Sequence, residues 1–161
     1  ESESTIGTSY VSECMSTKDG DIVLDIWDTA GQERYRSLIP MYSRGSDAAL
    51  IVFDVTSRSS FDSVQGWMSV VRDNTPQNIH IYLVANKIDL KQEVSDDQIE
   101  AMAEELGIPY FKTSAKINST VVPLFEQVAI DLIQNVMGDN QTQPTKSLTT
   151  SENEKRTSCC K

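Results

Sequence analysis

Two short apolar runs constrain the fold most. Ala48-Ala49-Leu50-Ile51-Val52-Phe53 stops at Asp54, and Ile79-His80-Ile81-Tyr82-Leu83-Val84 stops just short of Asn86. Neither alternates apolar with polar residues, which suits strands buried on both faces of a parallel sheet. Parallel neighbours need a crossover, and the residues between the runs supply one. Phe61, Val64, Trp67, Met68 and Val71 share one helical face after a Ser59-Ser60 start. Further along, Ile99, Met102, Ala103 and Leu106 recur at helical spacing behind a Ser95/Gln98 capping box. Ile108 to Phe111 then reads as a shorter strand. Phe125, Val128, Ala129, Leu132, Ile133 and Val136 make a last helix, with Pro123 expected in its first turn. Strands alternating with helices predict a three-layer α/β sheet built from right-handed crossovers.

Upstream of these elements, Thr8 to Thr17 reads as a strand, Asp19-Gly20 as a hairpin turn, and Ile22 to Trp27 as the returning strand. The chain has 161 residues, of which 39% are hydrophobic, enough for one domain with a proper core. Its longest apolar run is far too short to span a bilayer, and no secretory signal pattern opens the sequence. A net charge of −10 argues against nucleic acid, whose binding rests on neutralising phosphates. Three cysteines, two of them adjacent, are no disulfide framework and fit a reducing compartment. From Gly138 onward the composition turns to Asn, Gln, Thr, Ser and Lys, so 138–161 is expected to be a disordered tail behind a domain over 1–137.

Ligands of open α/β sheets bind beyond the carboxyl ends of the strands, and there the polar clusters stand. Asp28-Thr29-Ala30-Gly31-Gln32-Glu33 follows the second strand, Asn86-Lys87-Ile88-Asp89 the fourth, and Thr113-Ser114-Ala115-Lys116 the fifth. A carboxylate such as Asp28 suits a magnesium ion reached through water. Gly31 lets a backbone N–H approach a phosphate oxygen. Asp89, accepting from two adjacent N–H donors, would select guanine through N1–H and the 2-amino group. Asn86 can bond the base edge, the Lys87 stem can lie along the ring, and the Ala115 N–H can reach a carbonyl oxygen. Singly, each cluster could be an ordinary loop or cap; three in this order, each after a strand, make that reading remote.

Trp27-Asp28-Thr29-Ala30-Gly31-Gln32-Glu33-Arg34-Tyr35, Asn86 to Asp89 and Thr113 to Lys116 together resemble the Ras superfamily, and its Rab branch in particular, over roughly residues 4 to 137. Ser4-Thr5-Ile6-Gly7 resembles the end of Rab switch I. Arg36 to Pro40 with Tyr42 resembles the Golgi-acting sixth Rab subfamily. The resemblance implies a P-loop NTPase fold: a mostly parallel sheet, one antiparallel hairpin and helices on both faces. It implies a GTP/GDP switch in vesicle-mediated traffic, with magnesium held by Thr5 and Asp28. Gly31 would meet the γ-phosphate and Gln32 would orient the attacking water, the role of the equivalent glutamine in phosphoryl transfer. Asn86, Lys87, Asp89, Ser114, Ala115 and Lys116 would form the guanine site.

Implied partners are effectors, an exchange factor, a GTPase-activating protein, Rab escort protein and GDI, met by a monomer. Ile6, Tyr10, Trp27 and Tyr42 fall where Rab proteins meet effectors; the aromatic three could equally be core residues beneath the switches. Tyr10 replaces the family's usual phenylalanine, and Lys112 stands where glutamate is common. His80, the only histidine, is expected at a strand edge with no role.

At the terminus, a C-a-a-X signal would need cysteine at 158, which is serine. Cys159 and Cys160 instead resemble a doubly geranylgeranylated Rab end. One lipid gives only marginal anchoring, and an acidic protein lacks a polybasic second signal, so two chains make physical sense. The tail would then tether the domain with a reach of about 25–30 Å, placing the protein in the cytoplasm, reversibly attached to the cytosolic face of Golgi or endosomal membranes.

The G-x-x-x-x-G-K-[S/T] phosphate loop of such proteins does not occur among the 161 residues. Family order places that loop, with its strand and helix, upstream of Glu1, roughly 30–40 residues in all. The favoured expectation is part of an ordinary GTPase, with hydrolysis assigned to the full-length protein. The alternative is a non-enzymatic Rab-like module or decoy that binds effectors; an unrelated α/β adaptor is remote.

Overall fold

The protein is described by a computed structural model over residues 8–29 and 43–139. Strand β1 (Thr8–Thr17) pairs antiparallel with β2 (Gly20–Thr29), while β3 (Ala48–Asp54), β4 (His80–Asn86) and β5 (Tyr110–Lys112) form a separate parallel sheet in the order β3-β4-β5. Four helices accompany them among the described residues: α1 (Arg58–Asp62), α2 (Val64–Asn74), α3 (Asp96–Leu106) and α4 (Asn118–Asp139). This is the expected Ras-like α/β arrangement. Among the described residues the hairpin and the parallel strands are not hydrogen-bonded into one continuous sheet.

The parallel strands are apolar throughout because both of their faces are covered. Ile81, Leu83 and Ala85 of β4 join Ile51 and Phe53 of β3 against Val64 and Met68 of α2 and Ile99 and Ala103 of α3. On the opposite face, Tyr82 and Val84 pack with Leu124 and Val128 of α4. Val55, Leu83, Val94 and Ile99 lose all solvent contact. Each such aliphatic side chain contributes about 1.5–3 kcal/mol by burial. The hairpin follows other rules. Its burial alternates along β2, with Leu24 fully in and Val23 and Trp27 about half out.

Local chemistry sets the element ends. Ser95 accepts from the Gln98 N–H while Gln98 returns a bond to the Ser95 N–H, so the expected capping box is present. Gly107 ends α3 in the left-handed region at φ 66°, where a side chain would be strained.

Four expectations need correction. The hairpin loop is Lys18-Asp19 rather than Asp19-Gly20: Gly20 already pairs with Thr17, and Thr17 Oγ1 accepts from the Asp19 N–H. The first helix breaks at Ser63 into α1 and α2 and starts from Ser57, whose side chain accepts from the Ser60 N–H. Ser60 is drawn instead to β3, where its Oγ accepts from the Asp54 N–H. Pro123 lies inside α4, not in its first turn, because the helix begins at Asn118. Its ring removes one interior N–H from the ladder. His80 opens β4, the middle strand, rather than lying on an edge strand, and its Nε2 meets Asn135 of α4. Of the expected tail, residues 140–161 lie outside the described residues.

Candidate functional site

The ends of β4 and β5 bring two of the three polar clusters together. Parallel pairing aligns Ala85 with Lys112, and the chain then delivers Asn86 and Thr113 side by side. The Thr113 N–H donates to Ala85 O at 2.8 Å, and the Ile88 N–H donates back to Thr113 O at 3.2 Å. Thr113 and Ser114 are both buried, so the second loop is clamped onto the first by backbone bonds in a dry setting. Thr113 Oγ1 also donates to Asn86 Oδ1 at 3.4 Å.

Asp89 is the anionic centre of this arrangement. Ser114 Oγ donates to its Oδ1 at 2.6 Å, and Lys116 Nζ stands 3.4 Å from its Oδ2. The Ser114 hydrogen bond, chiefly, holds the Asp89 carboxyl below the usual carboxylate range, with Lys116 adding to it. The group is therefore ionised and acceptor-only at neutral pH. Ser114 is fixed in turn, because its N–H donates to Thr120 Oγ1 and its Oγ accepts from the Lys116 N–H. Ala115 is exposed between the two. The result is a fixed carboxylate whose free lone pairs can meet a pair of adjacent N–H donors.

Lys87 has φ 68°, the only non-glycine residue with positive φ among those described. A lysine in the left-handed region costs about 1–2 kcal/mol. Two bonds offset it: the Lys87 N–H donates to Asn86 Oδ1 at 2.8 Å, and its carbonyl accepts from the Leu90 N–H at 3.0 Å. The lysine Nζ reaches Asp54 Oδ2 at 2.6 Å.

Sequence reasoning noticed that Asp54 ends the β3 run but gave it no role. Thr113, which builds the clamp with Thr120, enters the sequence reading only as the first residue of its cluster, and Thr120 not at all. The signal for Asp54 was its position, since it ends β3 as Asn86 ends β4, and the two are register partners.

The remaining candidates lie apart. Asp28 is an exposed residue near the end of β2, in the hairpin sheet. Tyr10 and Trp27 face each other across the hairpin with ring centroids 4.9 Å apart. They are 53% and 51% exposed. Tyr10 OH donates to Asp25 Oδ1 at 2.7 Å, a bond that raises the tyrosine and lowers the carboxyl from their ordinary values. Thr5, Ile6, Gly31, Gln32, Tyr42, Cys159 and Cys160 lie outside the described residues.

Among the described residues no group of three or more His, Cys, Asp or Glu could hold a metal ion. One carboxylate, Asp28, suits magnesium, which is commonly bound by one or two carboxylates together with substrate phosphates and water. Of the two expected ligands Asp28 alone is described, and a single carboxylate is compatible with an ion that arrives with a phosphate ligand.

A cavity of about 700 Å³ lies elsewhere, between Met68, Arg72, Ile79, Ile108 and Asp131. It sits at the start of β4, where Tyr82 OH donates to Asp131 Oδ2 at 2.6 Å, and burial first, then that bond, raises the tyrosine. The convergence of fixed polar groups at the strand carboxyl ends is the stronger criterion in a parallel α/β sheet.

Comparison with known proteins agrees with that geometry. The Ras family profile matches residues 1–134. The ras-related protein Rab-5B of Dictyostelium discoideum is 40% identical over 135 residues, which are 83% of this chain and 63% of its own length. The ras-related protein RABF2a of Arabidopsis thaliana is 39% identical over 142 residues, covering 87% of this chain and 71% of its own. The chain thus spans less than two thirds of the first relative and somewhat more of the second. With its family profile, its Rab relatives and its strand-end clusters in agreement, the chain belongs to the Ras family of small GTPases, as a Rab-like member.

Proposed function

We propose that this chain carries the guanine-reading site and the effector-facing hairpin of a Rab-type GTP/GDP switch in vesicle-mediated membrane traffic. One observation carries the reading: the ionised Asp89 carboxylate, held by Ser114 beside Asn86 and Lys116 at the ends of two parallel strands. Asp89 accepts from guanine N1–H and the 2-amino group, Asn86 bonds the base edge, and the Ala115 N–H donates to O6. Lys87 and Lys116 supply stems along the ring. Thr5, Gly31 and Gln32 take the γ-phosphate side, with Gln32 orienting water. Thr5 and Asp28 would hold magnesium when the nucleotide is bound, and the ion would supply neutralisation of phosphate charge.

Tyr10 and Trp27, with Ile6 and Tyr42, form the face read by effectors, since exposed paired aromatics are typical anchors of such contacts. The exchange factor, activating protein, escort protein and GDI complete the partner set. Cys159 and Cys160 carry geranylgeranyl groups that attach the protein to the cytosolic face of Golgi or endosomal membranes. Among the described residues no helix is long and apolar enough to cross a membrane. The sixth-subfamily likeness rests on Arg36 to Pro40 and Tyr42, while the two relatives carry other Rab names.

A second reading, an effector-binding module without hydrolysis, draws on the same exposed Tyr10–Trp27 pair. Calorimetric titration with GDP and magnesium separates the two. Binding that falls at least about tenfold in Asp89→Ala, as loss of a charged hydrogen-bond acceptor requires, supports the switch. No binding by this chain but tight binding once an upstream phosphate-loop segment is supplied supports the switch; no binding in either form leaves the module.

A further inference from the structure

Asp54 has no part in the roles assigned above, yet it is the group that the Lys87 side chain reaches. The contact is specific on both sides. Lys87 Nζ lies 2.6 Å from Asp54 Oδ2. The other carboxylate oxygen, Oδ1, accepts from the Thr56 N–H at 2.8 Å and from Thr56 Oγ1 at 2.7 Å. Those bonds stop the carboxylate from turning to follow a moving lysine, so the lysine is the partner that is held.

The backbones are also joined. Asp54 and Asn86 are register partners at the ends of β3 and β4, and the Val55 N–H donates to Asn86 O at 3.0 Å. An unanchored lysine stem would sample many rotamers. Here its root is fixed at φ 68° and its tip is fixed on the neighbouring strand.

The geometry points to Asp54 as a positioning residue for the guanine-reading site: it draws the Lys87 ammonium toward β3 and so lays the stem across the strand ends, as a preformed wall for the purine face. This rests on the guanine reading proposed above. The Lys87 wall contacts any purine alike, whereas Asp89 distinguishes guanine from adenine. Asp54 therefore governs affinity and leaves base selectivity to Asp89. Burial alone would raise the Asp54 carboxyl, but the bonds from Lys87 and Thr56 outweigh it and keep the group below the usual range, charged for this role.

The test uses the full 161-residue chain and has two arms. The ligand-free arm follows acetylation of Lys87 by mass spectrometry in the unmodified chain and in Asp54→Asn. An ammonium held by a carboxylate acylates more slowly, so Asp54→Asn speeds labelling at Lys87 and leaves Lys91 unchanged. Equal rates overturn the proposal whatever the nucleotide does.

The binding arm compares GDP affinity in Asp54→Ala, Lys87→Ala, the double variant and Thr56→Val. Asp54→Ala weakens GDP roughly three- to fivefold, the range of a partly exposed ion pair. The GDP/ADP ratio is unchanged, and the loss disappears in the Lys87→Ala background. Thr56→Val, which frees the carboxylate to turn, weakens GDP in the same direction and by no more than Asp54→Ala; a loss from Asp54→Ala that persists in the Lys87→Ala background overturns the proposal in favour of a purely structural carboxylate. The binding arm is run with an upstream phosphate-loop segment supplied if the chain alone binds no GDP; if GDP fails to bind in both forms while Lys87 labelling still depends on Asp54, the guanine reading fails and the positioning role with it, although the ion pair stands.

Discussion

The β3-β4-β5 sheet and the β1-β2 hairpin solve opposite problems. In β4, five consecutive residues between His80 and Asn86 are buried, and polarity appears only where the strand stops. In β2, exposed and covered residues alternate, and polar and aromatic groups stand along its whole length. The first region surrounds a few polar side chains with a dry, close-packed frame, so that Asp89, Ser114 and Asn86 hold fixed positions. The second offers an accessible face with little core beneath it. Fixed chemistry sits at the ends of buried strands, and broad recognition sits on the sides of half-buried ones.

That contrast can be broken by substitution. Leu83→Ala, at a site with no solvent exposure in the middle strand, is expected to destabilise by about 2–5 kcal/mol. Urea unfolding would read this as a lower midpoint with an unchanged slope. Ser95→Ala removes the capping box of α3 and should cost about 1 kcal/mol, visible as a small drop in melting temperature. Trp27→Ala, at a side chain about half exposed on the hairpin, should change stability by at most about 1 kcal/mol. The same substitution should cost about 2 kcal/mol or more in effector binding if Trp27 is an anchor. If Trp27→Ala proved as damaging to folding as Leu83→Ala, the hairpin would be core after all and the division drawn above would fail.

Much of this was legible in the sequence, for reasons that can be named. The parallel strands announced themselves because burial on both faces removes polar residues from a run. The capping box was legible because Ser95 and Gln98 act locally, within one turn. The helix starts were misjudged where a side chain acts across elements. Ser60 is taken up by Asp54 of β3, and Thr120 bonds the loop after β5, so the polar start of α4 looked like a loop and Pro123 like its first turn.

Within the site, Asn86, Asp89, Ser114 and Lys116 were found from spacing and resemblance, and they do converge. Asp54 was passed over because its partner lies on the adjacent strand, and only the β3–β4 register brings the two together. Long-range pairing of that kind leaves no periodic trace in a sequence.

Helix α4 packs against β4 and also against β1 and β2. One helix thus touches both the strand that delivers Asn86 and the hairpin that bears Tyr10 and Trp27. Because packed interiors transmit strain, a substitution that loosens the buried face of α4 would be felt at the polar cluster and at the aromatic pair together.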